Sequence, residues 1–126
     1  MKTHIILLDN RFSFNRTSND RLGEQQWQWL NNTLYKHSDS DLTLVLAGIE
    51  VIKDNSPNEE TFMWPSKKML YEVVAQNQKS NLFLLTGDVH YANTFFTPCE
   101  ALTGYQIVEY TSSGLTHSIR NFWSLT

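Results

Sequence analysis

The stretch NLFLLTGDVHYAN, Asn81 to Asn93, is apolar from Leu82 to Leu85 and then breaks into Gly87-Asp88-Val89-His90. A short continuous apolar run bounded by turn residues is the pattern of a strand in a parallel sheet, with both of its faces covered. Gly87 lets the backbone leave such a strand along a path that other residues resist. Residues i and i+2 of an extended segment project to one face, which predicts that Asp88 and His90 share a side. A carboxylate oxygen and an imidazole nitrogen placed together can ligate one metal ion or two neighbouring ones, and the mixed set suits Zn, Fe, Mn or Co. The bland alternative is that Asp88 caps the loop and His90 packs on Tyr91.

Working outward, two more strands of the same kind appear: Thr3–Asp9 (THIILLD) and Asp41–Gly48 (DLTLVLAG). Between them, Leu22–Lys36 predicts a helix, because Trp27, Leu30 and Leu34 fall at helical spacing, with Gly23 as its cap and Glu24 suiting the helix dipole. A second helix begins at Pro65 or Ser66 and places Met69, Leu70, Val73 and Val74 on one side. Beyond Asp88 come two β-rich runs, NTFFTP and GYQIVEYT, separated by a turn at Thr103-Gly104. The predicted order is therefore β-α-β-α-β-β-β in a single α/β domain, with the last strands forming an antiparallel edge or a second sheet. Trp27, Trp29 and Trp64 are expected in the core or in helix packing.

Open α/β sheets bind ligands beyond the carboxyl ends of their strands. The residues that follow each strand are Asp9 and Arg11, then Glu50, then Asp88 and His90, and finally Ser112, Ser113 and His117. Asp9 and Arg11 read equally well as a local salt bridge or as substrate contacts. Glu50 reads as a solvated loop acid before it reads as a ligand. Ser113 and His117 raise a serine-esterase reading, against which stands the lack of a Gly-x-Ser-x-Gly elbow.

The composition narrows the class. The chain has 126 residues, 40% hydrophobic and 13% aromatic, with a net charge of −3. That is enough chain for a real core, and it lacks the basic footprint of a nucleic-acid binder. Cys99 is the single cysteine, so no intrachain disulfide forms. The apolar start, Ile5 to Leu8, is shorter than the roughly 7–15 residues of a secretory signal, and nothing approaches the roughly 20 of a membrane span. Localisation stays open.

Taken in order, LLDNR, LGEQQWQWL, LLTGDVHYAN and EYTSSGLTHS, spread over Leu7–Ser118, resemble the C-terminal portion of the PhoD-like alkaline phosphatases, of the calcineurin-like metallophosphatase superfamily. The resemblance implies a β-sandwich flanked by helices, of which residues 1–126 are the C-terminal part. It also implies hydrolysis of phosphate mono- or diesters at a centre of two metal ions, with Ca and Fe reported in the family and Zn or Mn as further candidates. GDVH stands where the superfamily carries a late Gly-His-x-His motif, which gives Asp88 and His90 the role of metal ligands and places both at the catalytic centre. The sequence departs from the family at Asn10, where Thr is usual, and at Glu50, where Gln is expected. The motifs that supply the remaining ligands are missing, and Cys99 does not correspond to the family's metal-binding cysteine. A non-catalytic fragment or binding module is the alternative, and association through an exposed sheet edge is expected.

Overall fold

The computed structural model describes residues 1–53, 60–97 and 100–115. Its elements are β1 (Thr3–Leu7), α1 (Gly23–Lys36), β2 (Leu42–Leu46), α2 (Ser66–Gln76), β3 (Leu82–Thr86), β4 (Ala92–Phe96), α3 (Glu100–Thr103) and β5 (Val108–Ser112). The fold is mixed α/β, as the sequence predicts. The expected turn before the last strand is the short helix α3, and Trp29 and Trp64 are half exposed while Trp27 alone of the three is buried.

The five strands form one sheet in the order β1-β2-β3-β5-β4. β1, β2, β3 and β5 are parallel, and β4 joins β5 antiparallel as the edge. The final strands thus build the antiparallel edge and not a second sheet among the described residues. Strand β5 enters the interior beside β3, pushing the earlier β4 to the outside.

Consecutive parallel strands added in one direction through right-handed crossovers put their helices on the same face. That is the arrangement here. Ile6, Val45, Leu82 and Leu84 of the sheet join Trp27, Leu30 and Leu34 of α1 and Leu70, Tyr71 and Val74 of α2 in one core cluster. The expectation that both faces are covered therefore fails for the described residues. The opposite face carries the register rows Ile5-Leu44-Phe83-Val108-Phe96 and Leu7-Leu46-Leu85-Tyr110-Thr94. Ile5 is 62% exposed, Leu7 70% and Phe96 53%.

Helix α1 starts differently from its sequence pattern. Asp20 Oδ1 accepts the backbone N–H groups of Leu22 and Gly23 and the indole N–H of Trp27. Gly23 has φ +73°, and a Cβ there would sit 2.9 Å from Ser13 Cβ. Its role is close approach in a left-handed turn, and Asp20 supplies the acceptor.

At the amino end of the sheet, Lys79 is buried and donates to His37 O and Ser40 Oγ. The rings of His4 and His37 lie 4.3 Å apart beside it. Burial first, then the charges of His37, Lys79 and Lys2, hold the His4 pKa below its ordinary value.

Candidate functional site

Because four strands are parallel, the segments that follow them meet along one edge. Asn10 Oδ1, after β1, accepts the Gly48 N–H after β2 at 3.0 Å. Arg11 reaches Asp88, after β3, with Nη2 3.6 Å from Oδ2. The Ser113 N–H, after β5, donates to Tyr91 O at 3.1 Å. The convergence inferred from the sequence is therefore observed for Asp9, Arg11, Glu50, Asp88, His90 and Ser113. His117 and Cys99 lie outside the described residues.

Asp88 and His90 come to the edge by a route other than the one the sequence suggested. Neither is extended: φ is +76° at Asp88 and +62° at His90, both in the left-handed region that non-glycine residues seldom enter. Val89 between them is buried, and both polar neighbours are exposed. The apolar side chain anchors the turn, while two strained backbone positions turn a carboxylate and an imidazole toward solvent. Such strain persists only where the surroundings enforce it, and it clusters at functional sites.

Asp9 and Arg11 form no side-chain ion pair with each other. Asp9 Oδ1 accepts the backbone N–H groups of Arg11 and Phe12, both at 3.0 Å. The Phe12 and Arg11 amides hold the Asp9 carboxyl below its usual pKa. Gln26 of α1 grips the same residue by its backbone: Asp9 N–H donates to Oε1, and Nε2 donates to Asp9 O. Asp9 is thus the turn-former from which the Arg11 side chain projects. Arg11 pairs with Glu60 at 3.1 Å as well as with Asp88.

Glu50 is no solvated acid, being fully buried. Its Oε2 accepts the Tyr91 hydroxyl at 3.2 Å and lies 3.6 Å from Lys53 Nζ. Lys53 Nζ donates to the Tyr91 hydroxyl at 2.6 Å. Tyr91 directly follows His90, so this cluster ties the β3 turn to the loop after β2. Burying a charge is tolerable only when it is paired in this way.

A second buried acid leaves almost no mark in the sequence. Glu109 of β5 is fully buried and accepts the N–H groups of Val51 and Ile52 and the Thr86 hydroxyl. Lys67 Nζ donates to Ile52 O and Lys53 O from the other side. Together they fix the loop that carries Glu50. The only trace in the sequence is that Glu109 occupies an inward position of an alternating strand. Glu60 and Gln26 left no such trace.

Asp88 and His90, both exposed, carry a carboxylate oxygen and an imidazole nitrogen, donor types that divalent cations accept. Among the described residues no group of three or more His, Cys, Asp or Glu side chains could hold a metal ion. Asp88 and His90 by themselves do not make up such a group. Ser113 has no side-chain hydrogen bond among the described residues. No helix among them is long and apolar enough to cross a membrane.

No protein-family model and no curated protein matches the sequence. Among solved structures, the chain is similar to one described as "Structure of PhoD", with a TM-score of 0.69 and 18% sequence identity. The alignment covers 89% of this chain and 27% of that one, so the chain spans about a quarter of the length of the structure it matches. What the two share is the fold: a five-stranded α/β sheet with its helices, of the PhoD kind.

Proposed function

We propose that this chain supplies the carboxyl-edge rim of a metal-dependent phosphoesterase that hydrolyses phosphate mono- or diesters, with Asp88 and His90 as two of the metal ligands. The observation that carries this reading is the Asp88-Val89-His90 turn. Two left-handed positions flank a buried anchor and present an oxygen and a nitrogen donor at the edge where parallel sheets bind ligands. The likeness to a PhoD structure supports it at the level of fold.

Asp88 would offer a hard anionic oxygen and His90 an imidazole nitrogen to two metal ions, Ca and Fe or alternatively Zn or Mn. Bound metal would neutralise phosphate charge and acidify the attacking water. The chain's own part is positional. Val89 anchors the turn, the Glu50-Tyr91-Lys53 cluster holds its far side, and Glu109 fixes the loop behind it. Ser113 needs no role as a nucleophile in this chemistry.

Catalytic metal sites typically use about three protein ligands each, and two residues fall short of that. The 126-residue chain by itself should therefore bind metal weakly and leave phosphate esters intact. The test assays this chain and the longest polypeptide that carries it, using a chromogenic phosphomonoester and a phosphodiester with Zn, Mn, Fe and Ca each added. Turnover confined to the longer polypeptide, and dependent on metal, is the expected result. Robust turnover by the short chain would overturn the two-ligand argument. Metal-independent turnover that dies with Ser113→Ala would install the serine-esterase reading instead.

A further inference from the structure

The sheet ends in two edges, β1 and β4, and they are finished differently. A strand turns the backbone groups of alternate residues toward its neighbour. The Leu8 N–H donates to Leu46 O and Lys2 O accepts the Leu42 N–H, so the even-numbered residues of β1 bond to β2. The N–H and C=O groups of Thr3, Ile5 and Leu7 therefore point away from the sheet, and no strand among the described residues pairs with them. On β4 the odd-numbered residues bond to β5, as the Thr97 N–H donating to Ile107 O shows, which leaves the Thr94 amide pointing outward. Asn93 Oδ1 accepts that amide at 2.8 Å and blunts the edge at its centre. β1 has no such device. Natural sheets protect their edges with charge, proline or a bulge, and the β1 sequence, THIIL, holds no acid, lysine or proline.

We propose that the outer edge of β1 docks the same edge of a second copy of this chain, antiparallel and centred on Ile5, joining the two sheets into one. The edge is self-complementary. About a twofold axis at Ile5, Thr3 lies opposite Leu7 of the second copy, and Ile5 lies opposite its own counterpart. Those are the outward-pointing residues, so each opposed pair exchanges both of its N–H···O bonds and no outward group of β1 is left over. The same register puts Ile5, 62% exposed, and Leu7, 70% exposed, on one shared face. The apolar rows of one sheet then run on into the other. An unrelated extended peptide would gain the backbone bonds without continuing those rows. Two paired five-residue strands bury less than the roughly 1,600 Å² of a standard interface, so the dimer should dissociate on dilution. This pairing does not depend on the proposed chemistry.

The experiment follows the whole chain by sedimentation equilibrium and by hydrogen exchange over a range of protein concentrations. The mass should rise from 14.7 kDa toward twice that value. As dimer forms, exchange at the Thr3, Ile5 and Leu7 amides should slow about tenfold or more, while Thr94 stays unaffected. Ile5→Pro removes an outward N–H that β2 does not use, a change that edge strands tolerate, and should abolish the dimer. Ile5→Thr keeps the amide and trims the apolar face, and should retain the dimer, as should Thr94→Pro on the opposite edge. Association that survives Ile5→Pro, or that Ile5→Thr abolishes equally, would assign the contact to the open face and overturn the edge pairing. Slow exchange at the three amides even in dilute monomer would place another segment of the same chain on this edge and overturn it too, as would a chain that stays monomeric. Should Ile5→Pro fail to fold, the unmodified chain decides: exchange at Thr3, Ile5 and Leu7 that ignores dimer formation sinks the proposal.

Discussion

At the scale of single residues, the exposed turn at Asp88 and His90 is where the proposed function can be tested apart from stability. If the proposed function holds, Asp88→Asn and His90→Ala should each remove most metal-dependent turnover and keep the fold, since both side chains are exposed. Ser113→Ala should cost far less. His90→Gly is the sharper variant. A left-handed backbone costs a non-glycine residue about 1–2 kcal/mol, and glycine's greater unfolded-state freedom opposes that gain with about 0.5–1 kcal/mol. The thermal midpoint should therefore hold or rise slightly, while metal affinity falls as far as in His90→Ala. A large drop in the midpoint would show that the imidazole is a packing group. Residue identity was legible here, because Asp-x-His after an apolar run announces itself. The geometry was not: alternation along a strand assumes an extended backbone, and the backbone here is left-handed at both donors.

At the scale of elements, what the sequence shows best is whatever burial writes into a run of residues. β1, β2 and β3 were each readable as apolar runs, and α1 from the spacing of Trp27, Leu30 and Leu34. Strand order was not readable, because nothing local says that β5 pairs with β3 ahead of β4. Buried polar clamps were equally hidden, since their partners lie far apart in sequence, as with Glu109 and Val51. Glu109→Gln tests the clamp. The carboxylate accepts from both amides of the 51–52 loop, whereas an amide side chain turns one NH₂ group toward a donor. Leaving a buried donor unmatched costs about 1–3 kcal/mol, so denaturant melts should show a loss of that size. Faster hydrogen exchange at Val51 and Ile52 should accompany it, and unchanged exchange there would disconnect Glu109 from the loop.

The amino end of the sheet gives a pH dependence with a definite sign. His4 belongs to β1, His37 caps the end of α1, and Lys79 lies just before β3. Burial and neighbouring positive charge hold the His4 pKa below 6.5 in the folded state. Unfolding then releases an imidazole that binds a proton more readily. The stability it contributes is complete above the unfolded value of 6.5 and shrinks as the pH falls below it toward the folded value. The thermal midpoint should decline between pH 7.5 and pH 5, and His4→Gln should flatten that decline. An equal slope in the variant would assign the effect to other groups.

At the scale of the whole molecule, the described residues cover the sheet on one side only. α1, α2 and their core cover one face, and the other presents Ile5, Leu7, Leu44, Phe83, Val108, Tyr110 and Phe96 across all five strands. Strands about 4.8 Å apart and about 3.3 Å per residue make that face roughly 400 Å². Apolar patches of this size mark interaction surfaces or aggregation sites. An apolar sheet layer packed about 10 Å away would bury it, as in two-sheet sandwiches. The described residues by themselves should therefore associate through this face. Light scattering after size-exclusion chromatography should give a mass above 14.7 kDa that grows with concentration. Leu7→Lys and Phe96→Lys, placed on opposite edge strands, should each shift it back toward the monomer, whereas Tyr35→Lys on the exposed side of α1 should not. A soluble monomer at 14.7 kDa, melting cooperatively, would show that the sheet stands without a second layer and that the open face is no interface.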